Sequence, residues 1–196
     1  MATGVTVRAF VFSSFALDGG AMHGIVPRPL WERAHVPDAR NRIPLVARAL
    51  LVDCEKSGAR VLIELGMGQR WTEKERAIYA LEGGAEPPEI LERAGVDPGS
   101  ITHVVLTHAH WDHAGGVVRA ADASELMFPR AEHVLGEKCL AHARSASEKD
   151  AGSFRSDDIE TLLARAQQKI RLFREGDELA PGLTARLSNG HTEGLV

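Results

Sequence analysis

The 196-residue sequence predicts an α/β (α+β layered) fold. Two observations carry this expectation. β-Branched and aromatic runs alternate with segments of helical periodicity along the whole chain, and two early strands lie close enough to form a hairpin. An apolar content of 44% over this length is enough to bury a core, and a single domain spanning 1–196 is expected.

Taken in order, residues 5–12 (VTVRAFVF) are rich in valine and phenylalanine and read as a first strand. Residues 18–24 are turn-rich, and Pro27, Pro29 and Pro37 point to an irregular surface excursion. Residues 44–52 and 60–64 form the hairpin pair, turning through Glu55-Lys56-Ser57-Gly58, with a glycine loop at Gly66 and Gly68. A helix is predicted over 72–81, where Thr72 and Glu75 have capping-box spacing, and another over 88–94, stopped by Gly95. A strand over 102–106 leads into the histidine-rich segment, and a helix is expected to start within 116–123. Residues 132–135 form a short strand. Ile159, Leu162, Leu163 and Ala166 give 156–169 one apolar helical face. Ile170 to Phe173, a turn at Glu175-Gly176-Asp177 and a last strand over 183–187 complete the pattern.

Composition narrows the function classes. Charged residues are 26% of the chain and the net charge is −4, so no basic footprint for nucleic acid is present. The two cysteines, Cys54 and Cys139, are far apart and in no CxxC pattern, so a disulfide framework and a thiolate zinc site are both unexpected. Arg8 interrupts the mildly apolar N-terminus, and neither a leader nor a membrane span is read there. The expected address is cytoplasmic, and the expected partner is a small molecule rather than nucleic acid or membrane. The oligomeric state is left open.

The chemistry is concentrated in His108-Ala109-His110-Trp111-Asp112-His113, followed by Ala114-Gly115-Gly116. Four nitrogen or oxygen donors lie within six residues. Such donors suit a zinc-type cation, at about 2.0–2.1 Å for imidazole and about 2.0–2.2 Å for carboxylate. In an extended or turning segment, residues at i and i+2 point to one side, so His108 and His110 can share one ion. Asp112 and His113 sit beyond the bend, in reach of a second.

This segment resembles the H-x-H-x-D-H signature of the metallo-β-lactamase-fold hydrolases. Ile63-Glu64-Leu65-Gly66-Met67-Gly68 is similar to that family's strand and loop before the site, and Gly190-His191-Thr192-Glu193-Gly194 to its downstream G-H-T-x-G. The stretch from Gly19 to Trp31, with Asn41-Arg42-Ile43-Pro44, looks like the opening of lactonase-like, single-domain members. The resemblance implies an αβ/βα sandwich. It assigns His108, His110 and His191 to a first metal, and Asp112 and His113 to a second. Asp112 would also orient, or take a proton from, the attacking water. A metal-bound hydroxide would then cleave a small-molecule ester or lactone. Zn2+ is the expected metal, with iron or manganese as alternatives.

The chain departs from the family pattern at Glu64, where the family has aspartate. Family members also continue past the point matching Val196, into a layer that supplies two further ligands. The chain is therefore expected to be a C-terminally incomplete form with five of the seven ligands, one metal position nearly complete, and exposed apolar faces. Two other functions fit the signature: a mononuclear-iron persulfide dioxygenase on the same fold, and a catalytically inactive metal-binding fragment. His23, His35, His103, His133 and His142 read as ordinary histidines, His23 with a secondary reading at a pocket entrance. Trp111 reads as a packing or rim residue, Phe15 and Met22 as core or rim apolar residues, and Asp177 with Glu178 as a solvated turn.

Overall fold

The structure, a computed structural model, describes residues 4–196; the first three residues, which begin the segment read for a leader, lie outside it. The elements are β1 (Val5–Asp18), α1 (Gly19–His23), α2 (Arg28–Trp31), β2 (Arg42–Cys54), β3 (Ala59–Ile63), α3 (Glu73–Tyr79), α4 (Pro87–Arg93), β4 (His103–Leu106), α5 (Trp111–Ala114), β5 (Glu132–Gly136), α6 (Glu137–Arg144), α7 (Ser156–Ala166), β6 (Ile170–Phe173), β7 (Glu178–Ala180) and β8 (Leu183–Thr184). Three 3-10 turns lie among them.

The first six strands make one sheet in sequential order, and β7 pairs with β8 separately. Strands β1, β2 and β3 are antiparallel neighbours, whereas β3 through β6 run parallel. The β2–β3 hairpin turns at Gly58, whose φ of 70° a side-chain-bearing residue adopts only with strain. Each parallel step needs a crossover, and helices supply them on one face. There Leu91, Leu140, Ile159 and Leu162 pack on Leu62, Val104, Leu106 and Leu135. The opposite side of the same strands presents Val61, Val105 and Val134 to Phe173, Leu179, Ala180 and Ala185. Alternate residues of β4 thus serve both cores, as strand geometry requires, and each fully buried aliphatic side chain contributes about 1.5–3 kcal/mol. Toward β1 this second face carries exposed Val5, Val7, Val11 and Leu50.

Several expectations change in the structure. β1 extends to Asp18, a register shift between Val11 and Ser13 absorbing the strain of a long edge strand. The proline-marked excursion contains two short helices; Pro29 lies in the first turn of α2, where the missing N–H costs nothing. Residues 116–123 form no helix. Val117 and Val118 are fully buried, and the segment bonds to 125–127 instead, through Met127 N–H to the Val117 carbonyl (2.9 Å) and Arg119 N–H to the Glu125 carbonyl (2.9 Å). Two glycines followed by two β-branched valines favour that extended pairing over a helix. The last strand is only Leu183–Thr184, and Glu178 opens β7 rather than lying in a turn. α6 was not anticipated. α3 has the expected capping box, with Thr72 accepting from Glu75 N–H and the Glu75 carboxylate accepting from Thr72 N–H. Among the described residues no helix is long and apolar enough to cross a membrane.

Candidate metal centre

The histidine segment leaves the carboxyl end of β4, beside the carboxyl end of β3, the edge where parallel sheets gather their ligands. The chain bends at Thr107, His108 and Ala109 lie in no regular element, His110 precedes the single turn of α5, and that turn carries Asp112 and His113. The tight path depends on glycines. Gly68 has φ 63°, and a Cβ there would lie 2.2 Å from the Gly115 carbonyl oxygen; one on Gly115 would meet the Trp111 and Met67 carbonyls at 2.3 and 2.5 Å. The loop after β3 and the turn of α5 are therefore in backbone contact. Leu65 N–H to the His113 carbonyl (2.9 Å) and Gly116 N–H to the Gly66 carbonyl (3.1 Å) hold them together.

His191 arrives from the other end of the chain. Ser188 N–H bonds to the Leu195 carbonyl (2.8 Å), Gly194 N–H to Asn189 Oδ1 (2.9 Å), and Val196 N–H to the Thr107 carbonyl (3.2 Å), which ties this loop to the strand that delivers His108. Gly194, at φ 78°, lies so close to α6 that a Cβ would be 2.3 Å from the Cys139 nitrogen.

His108, His110 and His191 converge: one ring nitrogen of each lies within 4.8 Å of the others. His191 Nε2 is 3.1 Å from His110 Nδ1. His108 is buried, with Nδ1 3.1 Å from the Thr107 hydroxyl and Nε2 lacking any hydrogen-bond partner. A buried imidazole nitrogen left unpaired is costly unless something occupies it. Neutral imidazoles around an orphaned nitrogen fit a zinc-class divalent cation. Burial, reinforced by the neighbouring imidazoles, pushes His108 down to about 2; burial and His191 take His110 to about 4. Both rings therefore keep lone pairs free at neutral pH.

Asp112 and His113 stand beside this group and outside it. Asp112 Oδ2 is 3.4 Å from His113 Nε2, and the His108 and His113 ring centres are 4.1 Å apart. Burial alone would lower His113, but the Asp112 and Glu64 carboxylates outweigh it and hold the ring up at about 10. Burial raises Asp112, and its bond to His113 brings it below its ordinary value. Glu64, flagged only as a departure, accepts from Thr107 N–H at 2.7 Å and also contacts His113 Nδ1.

Trp111 is buried, its indole N–H donating to the Gly152 carbonyl (3.0 Å), within an aromatic group of Phe15, Trp71 and Tyr79. Met22 is exposed, and His23 stacks on Trp31. Two neighbours of the site were not anticipated. Thr107 is signalled only by preceding His108. Phe154 lies edge-on to His110 at 4.8 Å and has no local sequence signature.

Residues 42–127 match the model of the metallo-beta-lactamase superfamily. The chain is 28% identical over 166 residues to the N-acyl homoserine lactonase AiiB of Agrobacterium fabrum, covering 79% of this chain and 57% of that protein. Among solved structures, a probable metal-dependent hydrolase from Staphylococcus aureus superposes with a TM-score of 0.79 at 24% identity, covering 91% of this chain and 62% of that one. The dizinc quorum-quenching lactonase AidC, solved with N-hexanoyl-homoserine product, gives 0.73 at 22% identity over 100% of this chain and 67% of its own. The chain thus spans about three-fifths of the length of these relatives.

Proposed function

We propose that the chain, whose residues 42–127 match the model of the metallo-beta-lactamase superfamily, belongs to that superfamily and is a metal-dependent hydrolase of small-molecule esters or lactones. The observation that carries the reading is the convergence of His108, His110 and His191 around the unpaired His108 Nε2. The lactonases among its relatives favour the ester or lactone class.

In this reading His108, His110 and His191 hold one divalent cation, with zinc the best match to three imidazole donors. Asp112 and His113 contribute to a second position. When bound, such a cation lowers the pKa of water to about 7 and polarises a carbonyl oxygen. The Thr107 hydroxyl at His108 Nδ1 and the Glu64 carboxylate at His113 Nδ1 orient the two rings so that their Nε2 atoms face the site. Asp112, its carboxyl held below the ordinary value by the bond to His113 against the opposing effect of burial, would orient an attacking water and accept its proton. Phe154, edge-on to His110, gives that side of the site an apolar face that suits an apolar substrate substituent.

The test uses purified chain, assayed for metal content and for hydrolysis of an aryl ester and a lactone with added zinc, beside His110→Ala. The expected result is a metal-dependent rate that His110→Ala lowers at least about a hundredfold. Equal rates in the two proteins contradict the reading. One iron per chain with oxygen uptake and no hydrolysis would replace it with the persulfide dioxygenase.

A further inference from the structure

Between the end of β1 and the start of β2 the chain makes an excursion with a closed base and a bare surface. Gly19 N–H donates to the Asn41 carbonyl (2.7 Å), and Asp38 N–H to the Arg42 carbonyl (2.8 Å). The Arg42 guanidinium reaches the Ala77 and Ile78 carbonyls of α3, which fixes the base to the body of the fold. Within the excursion His23 stacks on Trp31, ring centres 5.1 Å apart, and lies 5.2 Å from His35. That stack ties α1, α2 and the turn after them into one knob. Trp31 points inward, so close to Gly19 that a Cβ there would lie 2.5 Å from the ring. The aliphatic side chains of the same knob face water instead. Ile25 is 101% exposed, Val36 79% and Leu30 56%, and Met22 and Val26 are exposed beside them.

We propose that this knob is the surface through which two copies of the chain associate about a twofold axis. Its size fits that role. The five side chains present roughly 550 Å2, close to the apolar share of the ~800 Å2 that each partner buries in a standard interface. A patch of that extent on a single chain marks an interaction surface rather than scattered exposure. Its charges favour a protein partner over a lipid surface. Three of its four arginines are engaged within the chain: Arg28 with Glu32 (2.8 Å), Arg42 with Asp38 (2.7 Å), and Arg40 with the Ala77 carbonyl (3.1 Å). No cationic stripe is left to hold the knob on anionic headgroups. A second copy supplies a matching apolar surface, and a twofold contact between identical patches closes without leaving either one open. The stapled base keeps the knob in one shape, so little ordering is lost when it docks.

The test is sedimentation equilibrium of the full chain, with Ile25→Asp, Val36→Asp and Val7→Asp beside wild type. Val7 lies on the other exposed apolar surface, that of β1, and serves as the control. Wild type is expected to be a dimer. Ile25→Asp should raise the dimer dissociation constant at least about a hundredfold, and Val36→Asp at least about tenfold. The far-ultraviolet spectra should not change, because these side chains are exposed in the single chain. Val7→Asp should remain a dimer. If Ile25→Asp does not fold, Val36→Asp decides. A wild type still monomeric at about 100 μM overturns the proposal. So does a dimer that Val7→Asp dissolves and Ile25→Asp does not, which would place the contact on the sheet. Assembly that grows past the dimer with concentration contradicts a closed twofold. A monomer that sediments with phosphatidylglycerol vesicles, and loses them on Ile25→Asp, gives the knob to a lipid surface and also overturns the proposal.

Discussion

His191 Nε2 lies 3.1 Å from His110 Nδ1, across 81 residues of chain. Nothing local brings these rings together. The contact exists because the loop around His191 is pinned to β4 through Val196 and to α6 through Gly194.

Gly194→Ala should therefore act on the metal site at a distance. A Cβ at that position meets the Cys139 backbone nitrogen at 2.3 Å and adopts φ 78°, so the loop must move and carry His191 with it. Zinc affinity measured by calorimetric titration should fall about 10- to 100-fold. Unchanged affinity would show that the loop does not set His191.

His133 makes stability depend on pH. It is fully buried on β5, both ring nitrogens lack a good hydrogen bond, and burial takes it down to about 4, the Ala131 backbone opposing in part. Above the unfolded value of about 6.5 neither state is protonated, and the site costs nothing. Between pH 6.5 and 4 only the unfolded chain takes the proton, so stability falls as pH falls, by about 3 kcal/mol in all. Denaturant titrations across this window should show the loss, and His133→Leu should make it shallower by the share of His133, while buried His108 and His110 keep theirs. An equal slope in both proteins would contradict the assignment.

Asp158 is buried between two guanidinium groups, paired with Arg70 and lying 3.2 Å from Arg155 Nε. Arg155 also stacks over Trp71 at 4.8 Å, beside the Trp111 aromatic group. Removing the carboxylate leaves two partly buried cations facing each other. Asp158→Ala is expected to cost about 3–5 kcal/mol in chemical denaturation. A loss below about 1 kcal/mol would mean that water already screens the pair.

Thr72→Ala removes one half of the α3 capping box, in which the Thr72 side chain bonds to Glu75 rather than to the histidine group. The expected effect is about 1 kcal/mol of stability with zinc affinity unchanged. A shift in affinity would mean that α3 and the site are coupled.

Much of this arrangement was legible in the residues. The continuous apolar run Val104-Val105-Leu106 marks a strand buried on both faces, and Thr72 with Glu75 marks a helix start, because both signals are local. His108, His110, Asp112 and His113 announced themselves by spacing, and His191 by the glycine-framed motif it shares with a known family. Residues 116–123 misled because Ala120, Ala121 and Ala123 read as helical, whereas Val117 and Arg119 pair locally with 125–127. α6 went unseen because its apolar face is only Cys139, Leu140 and Ala143. Glu64 looked like a conservative departure from aspartate. Its double engagement depends on a positive φ and on Thr107 lying opposite, which only the folded backbone supplies.

The most direct test of the central claim is anomalous diffraction at the zinc edge from crystals of the zinc-loaded chain. The account predicts a peak about 2.0–2.1 Å from one ring nitrogen each of His108, His110 and His191. Zinc bound elsewhere, or a peak that leaves His191 out of reach, would contradict it.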